Sequence, residues 1–346
     1  MIPTLMDAAN VRQSLFPSMR VCIKPNLVAA SPAEEGSTTH PSVVEGIIQY
    51  LLDCEVHNIV IAEGSWVGAS TARAWDVCGY AALARRYPIR LVDTKTDTVV
   101  RKKAGQLALS LCETPLYTDY FINVPVLKGH CQTNLTCCLK NLKGCIPDSE
   151  KRRFHTMGLD MPIAALASIL KPNLHIVDNI CGDLCFEEGG SPVESNRVLL
   201  GFDPVALDSF CARLIGYQPD EIGHLRLAMQ MGVGQYVDES TVITEFDAEK
   251  RPARQTTDCR AVKRYAPYIA ESSACSPCYA ALIYALHHTG YRPKERICIG
   301  QGYRNKQIHG FGVGVCASGC TRCVPGCPPN AADIIAFLRK ANPASS

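Results

Sequence analysis

The sequence predicts an α/β protein: a largely parallel-sheet domain over residues 1–246, a linker over 247–273, and a smaller α/β domain over 274–346. Three observations carry that reading. From Arg20 to about Val242, short β-rich runs alternate with longer amphipathic stretches, the pattern of strands joined by crossover helices. The composition then turns polar and charged over DAEKRPARQTTDCRAVKRYAPYIAESS, as chains do between domains. The 346 residues, at ~150 per domain, allow two or three separate cores.

The expected strands of the first domain are Arg20–Lys24, His57–Glu63, Ile89–Asp93, Asp119–Pro125, His175–Asn179 and Val198–Phe202. Between them, Val43–Leu52 follows a His-Pro start signal, Met161–Leu170 stops at Lys171-Pro172, and Pro204–Ile215 has Asp203 as its cap with proline first in the helix. In the second domain Cys278–His288 reads as a helix, Arg296–Gly300 as a strand, Gly310–Gly314 as a glycine-rich loop and Ala331–Lys340 as a closing helix.

A net charge of +2 lacks the basic excess that holds a polyanion, so nucleic acid is not the expected partner. No run reaches the ~18 apolar residues of a membrane span. The N-terminal MIPTLMDAANVRQSLFPSMR shows no basic region leading into an apolar core, and the expected location is cytoplasmic. Neither GxxxxGK[ST], HExxH nor GxSxG occurs, and HGFGVG precedes a cysteine loop rather than a dinucleotide-binding helix.

Nineteen cysteines in such a chain suggest metal ligands more than disulfides. Cys22, Cys211 and Cys298 lie in apolar segments and read as small buried hydrophobes. Cys275, Cys278, Cys316, Cys320, Cys323 and Cys327 cluster instead, at a density that points to an iron–sulfur centre, with zinc as the alternative. On spacing, Cys320, Cys323 and Cys327 before Pro328 follow the tail of the bacterial ferredoxin run, although Cys316 is one residue too far for the full motif. Cys137 and Cys138 are a candidate redox pair, though neighbours on a helix rarely point the same way.

The first domain concentrates polar residues where strands end, which is where open α/β sheets bind ligands. Lys24 and Asn26 follow one strand, and Lys128 and His130 follow another. The stretch up to His155 adds Lys140, Asn141 and Lys143, with Leu135, Leu139 and Leu142 expected to face inward from one helix. The chemical reading is a pocket of cations and amides for an anionic small molecule. Lys128, His130 and His155 are the candidate catalytic groups; Lys24, Asn26, Lys140, Asn141 and Lys143 are the candidate binders. Arg152 and Arg153 read as a solvated face, Asp178, Asp203 and Asp208 as partners of the cations or as metal ligands, with Asp203 equally explained as a helix cap, and His287 and His288 as non-ligands.

KPN, TTHP, LKGH, LKNLKG, RRFH, IVDNI and GFDPVALD, in this order, resemble the domain-of-unknown-function 362 family, with Ser191 in EEGGSP standing where a glycine is expected. Its organisation is more distantly similar to the nickel-pincer lactate racemases. ACSPCYAALIYAL, GVCASG and VPGCPPNAADIIAFL resemble the three ligand segments of the cluster subunit of nickel–iron hydrogenases and the small subunit of respiratory quinone reductases. That resemblance implies one [4Fe-4S] cluster on Cys275, Cys278, Cys316 and Cys327, leaving Cys320 and Cys323 as spares. The resulting expectation is an iron–sulfur oxidoreductase fed by a ferredoxin-like donor, with cluster and pocket within ~13 Å, a domain radius. The alternatives are a non-catalytic electron carrier or assembly partner, and a purely structural cluster.

Overall fold

The computed structural model describes residues 1–184, 192–246 and 261–341. Along the first unit run β1 (Arg20–Pro25), β2 (Asn58–Glu63) and β3 (Ile89–Asp93), a hairpin of β4 (Val99–Ala104) and β5 (Leu107–Cys112), and β6 (Tyr120–Val124). A small hairpin of β7 (Lys128–His130) and β8 (Asn134–Thr136) follows, then β9 (Leu174–Asp183) and β10 (Pro192–Gly201). The central sheet has the order β10-β9-β6-β1-β2-β3, with β10 antiparallel to β9 and the other pairings parallel.

Helices on both faces explain why β1, β2 and β6 read as nearly unbroken apolar runs. On one face Ile47, Ile48 and Leu51 pack onto Ile23, Ile61 and Ile122; on the other, Cys22, Phe121 and Val177 meet Leu139, Phe154, Leu166 and Cys211. Helix starts are made locally. His40 accepts the Ser42 amide ahead of Pro41–Asp53, and Asp203 Oδ1 accepts the amides of Val205 (2.7 Å) and Ala206 (3.0 Å) ahead of Pro204–Leu214.

His175, on β9, is fully buried and accepts a hydrogen bond on Nδ1 from Asn123 Nδ2 at 3.1 Å. Burial lowers its pKa to about 3, against about 6.5 for the free imidazole. The unfolded chain therefore takes up a proton near pH 6.5 that the folded chain refuses until about pH 3. Stability is expected to fall below pH 6.5 at a limiting slope of about 1.4 kcal/mol per pH unit from this group. Urea unfolding from pH 7 to 4.5 should show that slope, and His175→Gln should flatten it.

The second unit is a parallel sheet of β11 (Ile269–Glu271), β12 (Ile297–Ile299), β13 (Ile308–Val313) and β14 (Cys320–Val324), covered by helices Ser276–Thr289 and Ala331–Ala341. Leu282, Ile283, Leu286, Ile334 and Leu338 close its core against Ile297, Ile299, Val313 and Val324.

Several expectations are corrected. Residues 261–273, assigned to a linker, include helix Ala261–Tyr265 and strand β11, which pairs with β12; residues 247–260 lie outside the described residues. The stretch Gly310–Gly314 is mostly strand, and β14 and the β4–β5 hairpin add strands the hydrophobic pattern did not signal. The single basic helix is instead β8, a short helix Cys138–Asn141 and a 3-10 turn Leu142–Cys145, although Leu135, Leu139 and Leu142 are all fully buried. The EEG-GS turn around Ser191 lies outside the described residues.

Candidate functional site

Cys275 stands at the cap position of helix Ser276–Thr289, with Cys278 in its first turn, so the CxxC spacing brings two thiols to one helix end. Cys316 sits in the 3-10 turn Val315–Ala317 that follows β13, and Cys327 in the turn after β14. All four line one cavity of about 490 Å³, its mouth included, together with Gly300, Gly314 and Gly326. Arg304 Nε donates to Cys316 Sγ at 3.3 Å, and Gln301 Nε2 approaches Cys275 Sγ at 3.9 Å. Burial, followed by the charges of Cys316 and Cys327, pushes the Cys275 thiol up, while Lys143 and Arg152 pull it back. Cys320 packs against Cys298 and Ala317, and Cys323 Sγ donates to Gly314 O at 3.5 Å; neither lines the cavity.

A second, polar cavity of about 610 Å³, its open mouth included, lies at the C-terminal ends of β1 and β2. Its wall carries Asn26, Glu63, Lys140, Asn141, Lys143, Lys151 and His155. Beneath it, buried Lys24 pairs with Glu63 and donates to Pro25 O (2.9 Å) and Asn141 Oδ1 (3.2 Å). From there Asn141 Nδ2 donates to Asn123 Oδ1 at 2.8 Å, so side-chain hydrogen bonds run from Lys24 to His175. Burial pushes Glu63 up, and Lys24 opposes it. Burial also lowers Lys151, against the pull of Asp148 and Glu63.

The two cavities share Val67, Cys275 and Pro277. The connecting piece is the loop after β2, whose carbonyls are held by two lysines. Lys151 Nζ donates to Gly64 O and Ser65 O at 3.0 Å, and Lys95 Nζ to Trp66 O and Ala69 O at 2.6 Å. At its tip Gly68 has φ +91°, and a Cβ there would lie 2.9 Å from Cys327 O. Gly68→Val therefore combines backbone strain with a clash between the units, and is expected to cost about 1–3 kcal/mol. Thermal unfolding checks this; an unchanged midpoint refutes the contact.

Of the sequence-predicted residues, Asn26, Lys140, Asn141, Lys143 and His155 come together in the polar cavity, with Lys24 under its floor. Lys128 and His130 do not line either cavity, which corrects their expected place beside the others. Lys128 is buried and donates to Ser37 O at 2.8 Å. His130 Nδ1 accepts the amides of Gln132 and Thr133 at 3.0 Å, shaping the β7–β8 turn; Gln132 Nε2 then donates to Ala274 O and its Oε1 accepts from Ser276 Oγ, beside Cys275. Arg153 remains partly exposed while it pairs with Glu150 and donates to Ala108 O at 2.5 Å, and Arg152 lines the cysteine cavity. Glu63, Lys151 and the loop after β2 were not singled out from sequence. Glu63 closes a strand just as Lys24 does, so the same strand-end rule points to it.

Residues 21–213, just over half the chain, match the family described as a domain of unknown function, DUF362. The chain belongs to that family. The match takes in β1 to β10 and ends in helix Pro204–Leu214, before the four cysteines of the first cavity. The DUF362 chain is 25% identical over 236 residues to a thylakoid-associated protein of Synechocystis sp., covering 65% of this chain and 72% of that one. It superposes on the lactate racemase apoprotein from Thermoanaerobacterium thermosaccharolyticum with a TM-score of 0.41 and 13% identity, over 62% of this chain and 55% of that one. A Thermotoga maritima protein gives a TM-score of 0.38 and 13% identity, over 66% and 59% of the two chains. This chain thus spans less than two thirds of either solved structure. Among the described residues no helix is long and apolar enough to cross a membrane.

Proposed function

We propose that this DUF362 protein is an iron–sulfur oxidoreductase in which the polar cavity holds an anionic small molecule next to a [4Fe-4S] cluster on Cys275, Cys278, Cys316 and Cys327. The observation that carries the reading is the convergence of these four thiols, from three segments, on one cavity that shares Val67, Cys275 and Pro277 with the polar one. The donor set fits the group. Four thiolates suit iron–sulfur chemistry, and a single tetrahedral zinc needs sulfurs about 3.8 Å apart. Among the described residues the one trio of ligand atoms within 4.8 Å of one another lies elsewhere, at Cys137, Cys138 and Asp208, so the cavity's thiols are spread more widely than one ion requires.

When bound, the cluster supplies single electrons at a tuned potential. Arg304 and Gln301, donating toward Cys316 and Cys275, hold those sulfurs in place and favour the more negative state. Cys327 is exposed, which leaves an edge of the cavity open to a ferredoxin-like donor. In the polar cavity Lys140, Lys143 and Lys151 present positive charge to an anion, and Asn26 and Asn141 add amide groups. His155, on the same wall, is the group placed to hand over a proton.

The test is anaerobic purification followed by paramagnetic resonance of the dithionite-reduced protein, with oxalate and inorganic phosphate as anion probes. A cluster signal that shifts with an anion in the natural protein, and keeps its iron but loses the shift in Lys143→Ala, supports the reading. A signal indifferent to every anion returns the protein to the class of electron carriers. Stoichiometric zinc without a signal overturns the redox reading altogether.

A further inference from the structure

Away from both cavities, in the core between the central sheet and its helices, three thiols and a carboxylate meet. Cys137, Cys138, Cys211 and Asp208 are all fully buried. Cys137 precedes helix Cys138–Asn141 in a non-helical conformation (φ −156°, ψ −140°), which is what lets adjacent cysteines turn to one side. Their sulfurs lie 3.9 Å apart. Asp208 and Cys211, three residues apart on helix Pro204–Leu214, lie beside them. Ligand atoms of Cys137, Cys138 and Asp208 lie within 4.8 Å of one another.

We propose that Cys137, Cys138 and Asp208 form a second metal site that takes one thiophilic divalent cation of zinc's class, with Cys211 as a neighbouring thiol outside the ligand set. The sulfur separation is close to the ~3.8 Å edge of a tetrahedron around one zinc. Asp208 is oriented as ligating carboxylates are: Oδ1 accepts the Cys138 amide at 2.7 Å and Oδ2 the Leu139 amide at 3.1 Å. Those bonds use two of its roughly four lone-pair positions and leave the others for a cation. Zinc binding displaces the two thiol protons of Cys137 and Cys138 to solvent and forms two Zn–S bonds and one Zn–O bond; no electron is transferred. The site is structural in effect. It anchors the start of the helix whose Lys140 and Asn141 reach the polar cavity.

The test uses the full chain with Cys275 and Cys327 replaced by serine, so that the first cavity cannot hold the added ion. Expressed with zinc and dialysed against a weak chelator, this protein should retain about one zinc per chain, the stoichiometry of one site. Adding Cys137→Ala should lower the retained zinc at least fivefold. Cobalt in place of zinc should give thiolate-to-metal absorption that Asp208→Asn alters, a readout that survives if Cys137→Ala folds poorly. Zinc absent from the parent, or equal in parent and variant, overturns the site, as does a disulfide among the three cysteines in protein kept under reductant. Iron content of the natural chain is read separately, so failure here leaves the proposed function standing, and the reverse.

Discussion

Cys275→Ser is expected to strip the protein of nearly all its iron and acid-labile sulfide, whereas Cys320→Ser and Cys323→Ser should each keep the natural content. Serine offers a hard, protonated oxygen where a soft thiolate is needed, and a cubane held by four protein ligands does not survive the loss of one from a wall this open. Cys320 and Cys323 have other neighbours, Cys298 and the Gly314 carbonyl, so their loss leaves the cavity's four thiols in place. The comparison decides between the two ligand sets that spacing alone leaves open. Iron lost equally in Cys320→Ser, and retained in Cys275→Ser, would hand the cluster to the ferredoxin-like run. Metal binding free energy is also folding free energy, so the Cys275→Ser protein should unfold its second unit at lower temperature.

Glu63→Gln is expected to cost about 3–5 kcal/mol of stability, the usual penalty for leaving half of a buried ion pair behind. Lys24 and Glu63 are both shielded from solvent and paired, and Lys24 keeps only Pro25 O and Asn141 Oδ1 once the carboxylate is gone. Removing both charges in Lys24→Met/Glu63→Leu should cost much less than the two single changes added together, since no uncompensated charge remains. Urea unfolding of the four proteins measures the coupling. Additive losses would show that the pair is not the unit that matters. Gly144 belongs to the same arrangement: a Cβ there would lie 2.6 Å from Lys24 Nζ, so Gly144→Ala should fall in the same direction.

Lys24 and Glu63 also show how far the sequence could be read. Each ends a parallel strand, and the strand-end rule found Lys24 and Asn26 from the pattern RVCIKPN. Glu63 escaped because a charged residue closing a strand is usually solvated, and only the register of β1 beside β2 puts it under Lys24. Lys151 escaped because it sits in a run of charges; its amine is spent on the carbonyls of Gly64 and Ser65, a long-range contact without a local signature. Lys128 and His130 came from the same strand-end rule, and they line neither cavity. They follow a buried strand, but β7 turns them toward Ser37 and the β7–β8 turn.

The sequence by itself determined the α/β class, the parallel order of strand and helix, the cysteine-rich second unit and the residues that gather at strand ends. All of these rest on local information: the burial period of each element, the cap residues and the spacing of cysteines around a helix start. The tertiary structure alone decided that the cysteine cavity abuts the polar one, that Lys128 and His130 line neither, and that Cys137, Cys138 and Asp208 share one buried point. Each of those depends on which distant segments pack together, and side chains far apart in the chain acquire a common environment only when the sheet and its layers close around them.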